Sequence, residues 1–265
     1  MLKAKKEHTL SNEDRLSKML ISEENELFSL PNNWCWVSLS TLTHIISKGT
    51  TPTGGKQAYL NEGIAFLRVE NINDDGTISH EKIAYISQDM HLEFLKRSVL
   101  EKDDILISIA GTLGKTGIVR EIDLPMNTNQ AIAFVRLRKE FINPKYIKYC
   151  IDNPIIQKKL LSQTKVTAIP NLTLEIISNC PIPLAPLPEQ NRIVECLEML
   201  LRKLDEAQQK IEDVSGTNDN SKSVIGKIEL MRNAILTYAF SGKLGTNNPE
   251  DGSAVELLKK IIGEK

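Results

Sequence analysis

Residues 181–204 read PIPLAPLPEQNRIVECLEMLLRKL, and the chain changes character inside them. The first half alternates proline with apolar residues. Proline fixes φ and has no N–H to donate, so Pro181, Pro183, Pro186 and Pro188 predict a stiff, extended linker. Pro188 with Glu189 and Gln190 suits the first turn of a helix, where the missing N–H costs nothing and a carboxylate meets the positive end of the helix dipole. Beyond it, Ile193, Leu197, Leu200, Leu204, Ala207, Ile211 and Val214 step by four and three, a heptad seam of about three repeats. The polar run SGTNDNS (215–221) interrupts that seam. Val224, Ile228, Met231, Ile235 and Tyr238 then resume the same steps, and Gly242 closes the second helix. A short amphipathic helix through Ala254, Leu257, Leu258 and Ile261 follows. Both long helices need partners. They could fold back on each other, but such a hairpin would leave one face of each poorly covered. Pairing between chains, as an antiparallel bundle, is therefore the expectation.

Upstream, the pattern is one of strands and turns. Trp34 and Trp36 lie at period two, on one side of a strand, as core anchors. IAFLRVENI (64–72), ILISIA (105–110), GIVREI (117–122) and AIAFVRLR (131–138) read as further strands. ISQDMHLEFLKRSVLEKDD (86–104) reads as a short helix closed by an acidic turn. Residues 143–163 have helical spacing and split near Pro154, because proline disfavours a helical residue before it. The fold class is thus α+β: a mixed α/β lobe over 27–186, then a long-helix coiled-coil region over 187–265. Residues 1–26 form a charged lead-in with one short helix around Leu16–Ile21.

At 265 residues, 41% hydrophobic and 25% charged, the composition is that of an ordinary globular protein. The net charge of −1 hides an uneven distribution: Leu106–Leu172 holds ten Lys or Arg against four Asp or Glu, a surplus of +6. That sector is compatible with a nucleic-acid face. The cysteines, Cys35, Cys150, Cys180 and Cys196, form no C-x-x-C pair, so no metal cluster is implied. The basic N-terminus lacks the apolar core of a signal peptide, and no apolar run reaches the ~20 residues of a membrane span. A cytoplasmic protein with no membrane partner is expected.

ILISIAGTLGKTGIV (105–119) imitates a nucleotide-binding loop. A P-loop would need glycine at position 109, which is Ile109, and a helix after Thr116, where a β-branched strand follows instead. Methyltransferase chemistry on adenine would need an Asp/Asn-Pro-Pro-aromatic loop; Asn153-Pro154-Ile155-Ile156 lacks the second proline and the aromatic residue. His8, His44, His80 and His91 show no ligand spacing. No catalytic residue and no bound metal or cofactor is expected.

What remains is a set of polar loops suited to duplex DNA. Lys48, Thr50, Thr51, Thr53 and Lys56 come from one, Lys115 and Thr116 from the Gly loop. Asn127, Thr128, Asn129 and Gln130 come from a third; Lys165, Thr167 and Asn171 from a fourth; Arg68 lies at a strand end. Lysine and hydroxyl groups suit phosphate oxygens, Asn and Gln suit adenine, and Arg suits guanine. Asn and Thr also abound in turns that bind no ligand, where their side chains bond neighbouring backbone.

Five stretches together, in order, resemble the specificity (S) subunit of type I restriction–modification systems. They are LPNNWCWVSLSTL (30–42), DILISIAGTLGKTGIV (104–119) with NTNQAIAFVRL (127–137), TAIPNLTLEIISNCPIPLAPLPEQNRIV (167–194) and LMRNAILTYAFSGKL (230–244). The resemblance implies a DNA target-recognition domain over 27–186. It also implies a conserved helical region over 187–265 that sets spacing and docks methyltransferase (M) subunits. S-adenosylmethionine, ATP and Mg would sit on partner M and restriction (R) subunits. Such subunits usually carry two recognition domains and two helical regions. This chain has one of each, so it resembles a half-length form that reads one half-site of double-stranded DNA. An antiparallel homodimer through Ile193, Leu197, Leu200, Leu204, Ile211, Val224, Ile228, Met231 and Ile235 would then read a bipartite inverted repeat. A helix of about 27 residues is ~40 Å long, comparable with one DNA turn. The competing readings are a coiled-coil interaction module and a P-loop-like NTPase using Lys115.

Overall fold

The computed structural model describes residues 11–164, 170–215 and 219–263, without the side chains of 214–222. The chain opens with α1 (Asn12–Met19), whose N-terminus is closed by a reciprocal pair: Ser11 Oγ accepts from the Asp14 N–H, and Asp14 accepts from the Ser11 N–H. The strands follow as β1 (Cys35–Ser38), β2 (Thr43–Lys48), β3 (Ile64–Leu67), β4 (Ala84–Ile86), β5 (Ile105–Ser108), β6 (Thr116–Ile118), β7 (Met126–Thr128) and β8 (Ile132–Leu137). Next come α2 (Pro144–Asp152), α3 (Pro154–Ser162), α4 (Leu174–Ser178), β9 (Pro181–Leu184), α5 (Leu187–Ser215), α6 (Asp219–Phe240) and α7 (Ala254–Gly263). The α+β class holds.

Three sheets carry the lobe. A four-stranded antiparallel sheet has the order β2-β8-β5-β6; a three-stranded sheet has the order β4-β3-β7; β1 pairs with β9 alone. The four-stranded sheet is covered on both faces. Ile105, Ile107, Ala133 and Val135 face the large core shared with the helices, while Leu106, Ile132 and Phe134 face the second core toward β3 and β7. This is why β5 and β8 read as nearly continuous apolar runs.

Several expectations need correction. Residues 86–104 are not an α-helix: a single π turn spans Met90–Phe94, and a 3-10 turn spans Lys96–Ser98. Leu95 anchors the segment by burying against Ile64, Phe66 and Ile86, and Val99 bridges to Asn127. The proline-rich stretch is not an irregular linker. Pro181–Leu184 is a strand whose residues face β1 in register, Cys35 opposite Leu184 through Ser38 opposite Pro181. In a two-stranded ladder its prolines can turn their missing donors outward, and Pro183 O accepts from the buried Tyr146 hydroxyl at 2.5 Å. The helix after it starts at Leu187.

Its first turn locks three parts of the molecule. The Trp34 indole N–H donates to Glu189 Oε2 at 2.8 Å, and Asn247 donates to the same oxygen at 3.0 Å. Gln190 accepts from the Asn143 N–H at 2.9 Å and donates to Ala185 O at 2.9 Å. Burial pushes the Glu189 carboxyl above its ordinary range, against the opposing pull of those two donors. The break between α2 and α3 falls at Pro154 as expected. Asn153, fully buried, caps α3 by accepting from the Ile155 and Ile156 N–H groups and donates to Leu236 O of α6 at 3.1 Å.

The long helices pair within the chain: α5 and α6 pack antiparallel as a hairpin, and α6 also packs on α2 and α3. The expectation of pairing between chains missed this, because it left out the lobe as a partner for α6. Gly242 (φ +70°) turns the chain out of α6 against Pro31, with no room for a Cβ. The last helix, α7, lies on α1, so the start and end of the described chain form one packed pair.

Candidate nucleic-acid interface

Strand direction gathers most of the polar loops at one place. In the four-stranded sheet Lys48 faces Ala133, Ser108 faces Ile132 and Ile107 faces Thr116. The chain therefore leaves β2, enters β8, leaves β5 and enters β6 at one end of the sheet. β3 and β7 run parallel, Leu67 beside Thr128, and point Arg68 and Asn129 out together.

Backbone hydrogen bonds knit these exits. Gly49 N donates to Ile132 O (3.0 Å), Thr50 N to Thr128 O (3.1 Å) and Asn129 N to Leu67 O (3.2 Å). Ile109 N donates to Ala131 O (2.8 Å) and Leu172 N to Ile109 O (3.1 Å). Lys48, Thr50, Arg68, Asn129, Gln130 and Asn171 thus share one edge. Thr51, Thr53 and Lys56 lie exposed further along the loop that leaves β2. Gly49 permits the closest approach: a Cβ there would sit 2.2 Å from the carbonyl oxygens of both Thr128 and Asn129.

Other predicted contacts are committed to the fold. Asn127 lies in β7 and is fully buried; its amide donates to Leu95 O and its oxygen accepts from His91 Nδ1 at 2.5 Å. Thr128 is also buried and donates to Leu67 O. Thr116 is buried and donates to Asp152. The segment reads as a polar loop, yet β7 is a buried three-residue edge strand whose polar groups are satisfied by its neighbours. Lys115 pairs with Asp74 at 2.8 Å. Lys165 and Thr167 lie outside the described residues.

The Gly-Lys-Thr loop is a hairpin turn. Ser108 N donates to Lys115 O, Gly114 N donates to Ser108 O, and Lys115 N donates to Ser108 Oγ. An antiparallel strand follows, not a helix N-terminus, so the loop is not a nucleotide cradle.

Some edge residues escaped the sequence. Arg97 donates to Thr50 Oγ1 at 3.3 Å, which brings Lys96 and Arg97 beside the loop after β2. The Arg68 guanidinium lies over the Tyr59 ring, 4.9 Å from its centre, and 3.7 Å from Glu70. The adjacent basic pair at 96–97 was the available signal, concealed by assigning the segment to a helix. Asp74, Asp75, Asp205, Glu212 and Glu229 line a groove between lobe and stalk, in which Arg232 pairs with Asp205 and Glu229. That acidic groove repels phosphate, in contrast to the cationic sheet-end edge.

The stalk seam is sorted by burial. Ile193, Leu197 and Ile228 are buried; Leu200, Leu204, Ile211 and Ile235 are partly so. Val224 and Met231, expected inside the seam, are exposed, as are Met199, Leu230 and Tyr238. The intrachain partner uses only one face of each helix.

Among the described residues no helix is long and apolar enough to cross a membrane, and no three His, Cys, Asp or Glu gather as for a metal ion. Burial pushes the Cys35 and Cys180 thiols up to about 12, which leaves them unreactive.

Residues 31–215 match the family model described as "Type I restriction modification DNA specificity domain". The chain is 27% identical to the type I restriction enzyme EcoBI specificity subunit of Escherichia coli, over 97% of this chain and 53% of that protein. It is 24% identical to the MjaVIII specificity subunit of Methanocaldococcus jannaschii, over 85% of this chain and 50% of that one. The chain spans about half the length of the curated relatives it matches. The fold is similar to that of the HsdS subunit from Thermoanaerobacter tengcongensis (TM-score 0.54, 20% identity, 70% of this chain and 46% of that chain). It is also similar to a chain of a type I R-M system (TM-score 0.51, 22% identity, 88% and 51%). With a family model spanning most of the lobe and the first stalk helix, and with the same fold in solved relatives, this chain belongs to the type I restriction–modification DNA specificity family.

Proposed function

We propose that this chain is a DNA-reading specificity subunit that does no bond-breaking chemistry itself. The observation that carries this is the convergence of Lys48, Thr50, Arg68, Arg97, Asn129, Gln130 and Asn171 on one sheet end. The names of the relatives, specificity subunits of type I restriction enzymes, support the same reading.

One lobe, 27–186, reads one half-site. The stalk, 187–265, fixes spacing and recruits methyltransferase and restriction subunits, which carry S-adenosylmethionine, ATP and Mg. Two chains pair antiparallel through the outer side of the hairpin, where Met199, Val224, Leu230, Met231 and Tyr238 offer exposed apolar surface. At 29 residues, α5 is about 43 Å long, enough to set two lobes roughly one helical turn of DNA apart. The assembly would work in the cytoplasm, on the chromosome.

Co-expression with a methyltransferase subunit, followed by mapping of methylated sites with and without this chain, tests the reading. A bipartite inverted-repeat target that appears only with the chain is the expected result. Methylation that is absent, or unchanged when the chain is deleted, would overturn it. Sedimentation of the purified chain tests the pairing: Leu230→Glu with Met231→Glu should shift a dimer to monomer, and a wild-type chain that stays monomeric at high concentration rules the pairing out.

A further inference from the structure

The π turn at Met90–Phe94 puts two large apolar side chains into solvent beside the cationic edge: Leu92 is 54% and Phe94 52% exposed. Leu92 and Phe94 lie two residues apart on one turn, just before Lys96 and Arg97. The turn is held from behind. His91 is buried against Asn127, Leu95 is buried, the Asn127 amide donates to Leu95 O, and Ser98 closes the turn onto the same carbonyl. Leu92 and Phe94 are therefore presented by a fixed frame, bolted to the strand that leads into Asn129. The next residues are Lys96 and Arg97, and Arg97 reaches Thr50. An apolar pair flanked by cations fits a duplex, with base edges for the apolar groups and phosphates for the cations.

We propose that the Met90–Phe94 turn is a base-reading element, in which Leu92 and Phe94 press on thymine methyl groups in the major groove while Lys96 and Arg97 hold the neighbouring phosphates. The proposal rests on the DNA-reading function above. The methyl group is the one apolar feature of the major-groove code, and side chains without hydrogen-bonding groups can read nothing else there. Glu93, exposed between them, can accept from a cytosine amino group and would resist a phosphate, which further favours base edges for this tip.

The test is selection from a randomised duplex library with the full chain, in complex with its methyltransferase subunit. Wild type is compared with the Leu92→Ala/Phe94→Ala double variant. Both side chains are exposed, so the variant should keep its circular-dichroism melting curve. Wild type should enrich a motif with thymine at one or two positions that the variant no longer distinguishes, with binding to unselected DNA unchanged. Uracil in place of those thymines removes only the methyl group; it should weaken wild type about fourfold per methyl and leave the variant unaffected. Identical motifs from both proteins would overturn the proposal and leave the DNA-reading function standing. If the variant keeps its motif but loses the methyltransferase subunit, the turn is a protein contact and the proposal is wrong. Enrichment of no motif by wild type would remove both the function and the proposal.

Discussion

Asp123 shows how single side chains brace the lobe. Its carboxylate is fully buried, accepts two hydrogen bonds from the Arg120 guanidinium and one from the Arg120 N–H, and contacts His80 at 3.1 Å. Burial opposes its charge, yet the bonds from Arg120 and His80 outweigh burial and hold the carboxyl below the usual range. A lowered value in the folded state means stability present above the ordinary carboxylate value of about 4 and lost as pH falls through the folded one. Asp123→Asn should cost about 1–2 kcal/mol at neutral pH, the lower part of the range because Arg120 is half exposed. It should also flatten the acid limb of stability, as read by urea unfolding at stepped pH. At Gly49 the constraint is space. Gly49→Ala forces a Cβ into two carbonyl oxygens, so it should destabilise by roughly 1–3 kcal/mol and part the loop after β2 from the turn at Asn129. Loss of DNA affinity beyond what the change in melting explains would be the signature; unchanged affinity would separate that loop from the reading edge.

At the scale of elements, the first turn of α5 is the joint on which lobe, stalk and C-terminal segment meet. Arg192 pairs with Asp251 and donates to Thr246 O, next to the Glu189 bonds. The raised Glu189 carboxyl means that the unfolded chain ionises first as pH climbs. Stability is therefore drained between the ordinary value and the folded one. Glu189→Gln removes that drain, so it should be no less stable than wild type at neutral pH, with any difference vanishing below about pH 4. Chemical denaturation at both pH values checks this, and a clear loss at neutral pH would show that the charge itself is needed. Elements with strong periodicity were legible in the sequence: α5, α6 and α7, the apolar runs of β5 and β8, and the break at Pro154. β7 was hidden because two of its three residues, Asn127 and Thr128, are polar yet buried by their neighbours, and β9 because its prolines signal a linker. The π turn was hidden because Leu92, Leu95 and Val99 step by three and four, a helix-like spacing. The reading edge depends on the parallel pairing of Leu67 with Thr128, 61 residues apart, and no local pattern encodes such a contact.

At the scale of the molecule, charge is partitioned rather than abundant. The net charge is −1, yet cations collect at one sheet end and acids line the groove between lobe and stalk. Lys48→Ala with Arg97→Ala should lower the slope of log affinity against log salt by about 1–2, near 0.9 for each phosphate that is no longer neutralised. A slope that does not move would place the phosphate-binding cations elsewhere. The packing of α1 on α7 has a consequence of another kind. Two helices in contact lie about 8–10 Å apart, so a short peptide could join Gly263 at the end of α7 to Asn12 at the start of α1. The backbone could then be cut anew at the exposed Lys139–Glu140 turn. Such a circularly permuted chain should refold to the same shape, because the order in which the segments are synthesised matters less here than the surfaces they share.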